Sequence, residues 1–136
     1  MRKLILFWLL FLSSNFAFAE NAHCPKLIKC KHLKPGQESY CDPLTPGIWV
    51  GGLIGYGGDP LEGVYKLTVV MSSTGKHVSC GYSPTFHSRH FSVINISFTG
   101  KYEANQEGFT MWQYFSSGTL KCESPNLEPE NCPLKG

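Results

Sequence analysis

The sequence predicts an all-β domain, β-rich with at most a short helical turn, folded as a small disulfide-stapled sandwich or partly open barrel. Three observations predict it. Several short segments alternate apolar and polar residues at period two, and no segment carries a sustained 3.6-residue apolar period. Clusters of Gly, Pro, Ser and Asn separate those segments at short intervals and read as turns. Six cysteines, Cys24, Cys30, Cys41, Cys80, Cys122 and Cys132, form an even set in a chain of 136 residues, which is the pattern of a disulfide framework made in an oxidising compartment.

The first nineteen residues read as an address. Arg2 and Lys3 precede an apolar run from Leu4 to Leu12, and Ala17-Phe18-Ala19 supplies the small residues of a cleavage site, so residues 1–19 are expected to be a signal peptide removed after Ala19. The run is too short to span a bilayer. Residues 20–136 then form a single domain, exported to a periplasm or to the medium, with no membrane span after cleavage. The formal charge of +2 comes from twelve basic and ten acidic residues; losing Arg2 and Lys3 leaves the two signs equal, which does not favour a nucleic-acid partner. Charge is nevertheless segregated. Lys26, Lys29, Lys31 and Lys34 crowd one end with His23 and His32, and Glu123, Glu128 and Glu130 the other; they read as two solvated segments, whether or not these lie near each other, and less readily as a basic patch for an anionic surface.

Taken in order, Cys24–Cys41 has no sustained period and carries Pro25, Pro35 and Gly36, so it is expected to be a stapled loop laid over one end of the domain. Asp42–Gly47 is a turn cluster, and Ile48-Trp49-Val50 is expected to be a short strand. The central hairpin follows. Its first arm, Val64–Met71, places Tyr65, Leu67, Val69 and Met71 on one face, Ser72–Gly75 turns the chain, and Val78, Cys80 and Tyr82 face the core from the return arm. Ser83-Pro84 ends that arm. Phe91–Phe98 is a second strong strand whose cleaner apolar face is Ser92, Ile94, Ile96 and Phe98; Asn95-Ile96-Ser97 within it matches a glycosylation acceptor only formally. Phe109–Phe115 is an aromatic strand, with Thr119–Cys122 as its hairpin partner. The proline-bearing tail Glu123–Gly136 is expected to lack regular structure and to be tied back by Cys132.

Loop closure ranks the disulfides. Cys122 with Cys132 closes a short loop holding two prolines, Cys30 with Cys41 is similar, and Cys24 is then left to pin the N-terminus onto Cys80.

The cysteine and tryptophan landmarks resemble a group of small exported bacterial proteins defined by a domain of unknown function. The resemblance rests on Cys24-Pro25, Gly47-Ile48-Trp49, Val78-Ser79-Cys80-Gly81-Tyr82, Trp112, Cys122-Glu123-Ser124 and Cys132-Pro133. It implies export, disulfides and a β-rich fold, and it carries over no catalytic residue.

Chemistry-bearing residues are sparse. The segment Gly51–Pro60 has five glycines but lacks the Gly-Lys-Ser/Thr ending of a phosphate loop; with Trp49 and Tyr56 it reads as a recognition loop. His87 and His90 face one metal if their loop folds back, but no third ligand is evident. Ser83 or Ser88 with a histidine lacks the elbow and acidic orienter of a hydrolase. Trp49, Tyr56, Trp112, Tyr114 and Phe115 exceed what a small core needs, and Trp112 is expected to stay inside. The expected function is a non-enzymatic binding or inhibitor-like module for a protein or glycan partner, using Trp49, Tyr56 and Tyr114 and no cofactor. Metal binding through His87 and His90 is the alternative, and a small secreted hydrolase comes third.

Overall fold

The computed structural model describes residues 22–32, 39–49, 53–54, 62–86 and 94–136. The expected signal peptide at residues 1–19, Tyr56 and most of its glycine-rich loop, and the His87–His90 segment lie outside the described residues. The domain is all-β and stapled by disulfides, with its main sheet curled into half a barrel.

The sheet is organised on β4 (Gly63–Ser73), which forms a hairpin with β5 (His77–Pro84) through the turn at Thr74, Gly75 and Lys76. Gly75 takes φ +82° there, as a tight reversal requires. β6 (Ile94–Thr99) extends the sheet beyond β5. The other edge of β4 is shared: its first half pairs with β1 (Leu27–His32), its second half with β9 (Thr119–Glu123). Outside β1 run β2 (Ser39–Pro43) and β3 (Leu53–Ile54); outside β9 runs β8 (Gln113–Ser116). All pairings are antiparallel. A smaller two-stranded sheet joins β7 (Glu103–Ala104) to β10 (Leu134–Lys135), and Ala22 bridges Leu134 from the far side.

Where β4 changes partner it also bulges. The ladder with β5 slips between Leu67 and Val69, leaving Thr68 as the extra residue. On the opposite edge the Leu67 amide donates to the Lys26 carbonyl at 2.8 Å, and the Thr68 carbonyl accepts from the Ser124 amide at 3.1 Å. Thr68 is therefore the fork at which β1 leaves and β9 arrives. One inserted residue inverts the side-chain parity that follows it. The inward face is Tyr65, Leu67, Val70 and Ser72, and not the unbroken series ending in Val69 and Met71 that the period predicts. Ser72 is a polar residue in the core, and its Oγ accepts the Ala104 amide at 2.9 Å.

The other faces follow the pattern. Val78, Cys80 and Tyr82 of β5 and Ile94, Ile96 and Phe98 of β6 are buried. The segment from Cys24 to Cys41 departs from expectation: instead of a loop it supplies β1 and β2, with Ile28 and Cys30 buried while Lys29 and Lys31 face solvent. Cysteine is acting there as the apolar member of the alternation. Ile48 and Trp49 form no strand; the Ile48 amide bonds to the His23 carbonyl at 2.9 Å, and Gly47 lies so close to Pro25 that a Cβ has no room. The tail is more regular than its prolines imply, with a 3-10 turn at Pro129–Asn131 followed by β10.

The disulfides are Cys24–Cys80, Cys30–Cys41 and Cys122–Cys132, the pairs that loop closure ranks first. They tie respectively the N-terminus to β5, β1 to β2, and the tail to β9. Lys26 and Glu128 meet at 2.7 Å, so the basic and acidic ends are neighbours. With both side chains about half exposed, the pair contributes little to stability.

Candidate functional site

The most exposed apolar residues among those described gather in one stretch of chain. Phe109 is fully exposed, Tyr114 74% and Phe115 55% exposed, and Met111 lies between them at 38%. Four large apolar side chains within seven residues, all open to solvent, cost hydrophobic free energy that core packing does not return. All four residues of β8 are exposed.

The arm is nonetheless firmly rooted. The Pro133 carbonyl accepts two hydrogen bonds, from the Asn105 amide at 2.8 Å and from Trp112 Nε1 at 2.9 Å, and the Met111 amide donates to the Asn131 carbonyl at 2.8 Å. Those acceptors flank Cys132, which the Cys122–Cys132 bridge holds against β9. Trp112 packs on the core as expected, its indole N–H satisfied. Around this anchor the chain reverses through Gly108 (φ +77°), and the Asn105 carboxamide oxygen accepts the Glu107 amide at 3.1 Å. Then Gln113 and Tyr114 pair with Lys121 and Leu120, and the register slips at Phe115. Lys121 holds its ammonium 4.9 Å from the Phe115 ring centroid and 2.9 Å from a Glu123 carboxylate oxygen. The cross-linked base holds the backbone of this apolar arm in place, so little loop entropy would be lost on any contact it made.

Of the residues singled out from sequence, Tyr114 stands on this arm. Trp49 does not; it packs half-buried against the core, its Nε1 buried and without a hydrogen-bond partner among the described residues. Tyr56, His87, His90 and Ser88 lie outside the described residues. Ser83 shares a hydrogen bond with the Thr68 hydroxyl at 3.1 Å. Among the described residues no group of three His, Cys, Asp or Glu side chains is placed to hold a metal ion. Phe109 and Met111 carry no site signal in the sequence, because an alternating aromatic segment reads equally well as a buried strand.

A cleft of about 250 Å³ opens at the fork beside Thr68, walled by Val69, Glu123, Ser124 and Pro125. Its one carboxylate, Glu123, is engaged by Lys121. Among the described residues two tyrosine phenols are raised above their ordinary value, and both lie away from the arm. Burial pushes the Tyr82 phenol upward, and the Asp42 carboxylate raises Tyr40 by hydrogen bond and by charge.

No family model, no curated protein and no solved structure matches this chain. Among the described residues no helix is long and apolar enough to cross a membrane.

Proposed function

We propose that the protein is an exported, non-enzymatic binding module that recognises a partner protein through the arm from Phe109 to Phe115. The observation that carries this reading is the exposure of Phe109, Met111, Tyr114 and Phe115 on a base fixed by the Cys122–Cys132 bridge. Aromatic residues of this kind dominate the energy of protein contacts. A polypeptide suits the surface better than a glycan, since β8 offers a backbone edge beside its rings and strand addition uses both.

Export is supported by the leader-like residues 1–19, by three disulfides in a small domain, and by the resemblance to small exported bacterial proteins. The exported form then begins at Glu20, near Ala22, whose amide and carbonyl bond to Leu134 at 2.9 and 2.8 Å.

Immobilised wild-type protein and a Phe109→Ala/Tyr114→Ala variant, exposed to periplasmic and culture fractions of the source cell, test the reading. A protein retained by the wild type and lost by the variant is expected; equal retention contradicts the arm as the contact surface. Intact mass of the exported form tests the start at Glu20, and a membrane-bound chain keeping residues 1–19 contradicts it.

A further inference from the structure

Among the described residues β8 pairs with β9 alone, so its outer edge is open. Its sequence, Gln-Tyr-Phe-Ser, has neither charge nor proline, and all four residues are exposed. Natural edge strands are usually guarded by lysine, proline or a covering element, because an open ladder of N–H and C=O groups is a template for another strand. The slip at Phe115 blunts only the far end, leaving Gln113 and Tyr114 in register with β9.

We infer that two copies of this chain pair through the edge, β8 against β8, antiparallel about a two-fold axis near Gln113. Phe109, Met111, Tyr114 and Phe115 of each copy close over the contact. A second copy fits for three reasons. β8 itself carries no charge, and the Lys121 ammonium that lies over the Phe115 ring is paired with Glu123, so among the described residues no unpaired lysine guards the edge. The equal numbers of acidic and basic residues left after removal of Arg2 and Lys3 give no net repulsion between copies. An isologous contact also counts each exposed side chain twice. The four apolar residues offer on the order of 500 Å² per copy, hence about 1,000 Å² in total, at the lower bound for a specific interface. The pair is therefore weak and concentration-dependent. Self-pairing covers the same arm that the proposed function gives to a partner protein, so the two contacts are mutually exclusive and a partner binds by displacing the second copy.

Sedimentation of the purified disulfide-bonded chain from about 10 μM to about 1 mM tests the inference over the range where so small an interface assembles. The wild type is expected to pass from monomer to dimer. Tyr114→Lys, on an exposed position, should weaken dimerisation at least tenfold while keeping the thermal transition, and Leu44→Lys, an equally drastic change at an exposed apolar site elsewhere, should leave it unchanged. A wild type that stays monomeric throughout overturns the inference, as does a dimer that survives Tyr114→Lys intact. A monomeric wild type that still captures another protein through the arm assigns the edge to that partner, which overturns self-pairing and leaves the proposed function standing.

Discussion

The Tyr82 hydroxyl donates to the Pro25 carbonyl across 2.8 Å in a buried contact, directly beside the Cys24–Cys80 bridge. Covalent and hydrogen-bonded links thus fix the same part of the N-terminal segment to β5, from adjacent residues on one side and from residues two positions apart on the other. Tyr82→Phe removes the donor and leaves a buried carbonyl unpaired, which should cost about 1–3 kcal/mol in urea unfolding with disulfides intact.

The same tyrosine gives stability a pH dependence. Burial holds its folded pKa above the ordinary phenol value of about 10. The contribution is therefore complete below pH 10 and is lost as pH rises above it, at up to about 1.4 kcal/mol per pH unit from this group. Unfolding free energy of the wild type is expected to fall above pH 10, more steeply than that of Tyr82→Phe. Parallel curves for the two proteins contradict the assignment.

At the bulge, parity can be read by substitution. Val70→Thr puts a hydroxyl into the core and should cost about 1–3 kcal/mol, whereas Val69→Thr, on the outer face, should stay within ~0.5 kcal/mol. Val69 nonetheless meets Gly81 across the ladder, where an added Cβ collides with its Cγ1. Gly81→Ala should therefore destabilise by about 1–3 kcal/mol, and Val69→Ala in the same chain should restore part of the loss. Additive effects in that double-mutant cycle contradict the close approach.

The bridges should differ in worth. Cys24–Cys80 spans 56 residues of chain and Cys30–Cys41 only 11, so chain entropy assigns about 4 and about 3 kcal/mol to them. Paired Ser replacements compared by denaturant unfolding are expected to fall in that order.

The parts of this fold legible in sequence are those where side-chain period and burial coincide. Ile94, Ile96 and Phe98 show their buried face directly, as do Val78, Cys80 and Tyr82. The bulge was not legible, because Leu67-Thr68-Val69-Val70 is apolar enough to satisfy either parity and the cause is tertiary, the exchange of β1 for β9. β1 and β2 are hidden in the sequence because Cys30 and Cys41 read as staples before they read as core residues, which masks the alternation of Ile28 and Cys30 with Lys29 and Lys31. Tyr114 was legible as an exposed residue from the surplus of aromatic side chains over what the core holds. Phe109 and Met111 were not, since only the reversal at Gly108 and the anchoring at Pro133 carry them outward.

Separating recognition from folding tests the account most directly. Unfolding free energy and affinity for the captured partner should be measured on the same Phe109→Ala/Tyr114→Ala protein. The account predicts stability within ~0.5 kcal/mol per site of wild type and affinity at least tenfold weaker, about 1.4 kcal/mol or more. Full affinity in the variant, or a loss of stability as large as the loss of binding, would contradict it.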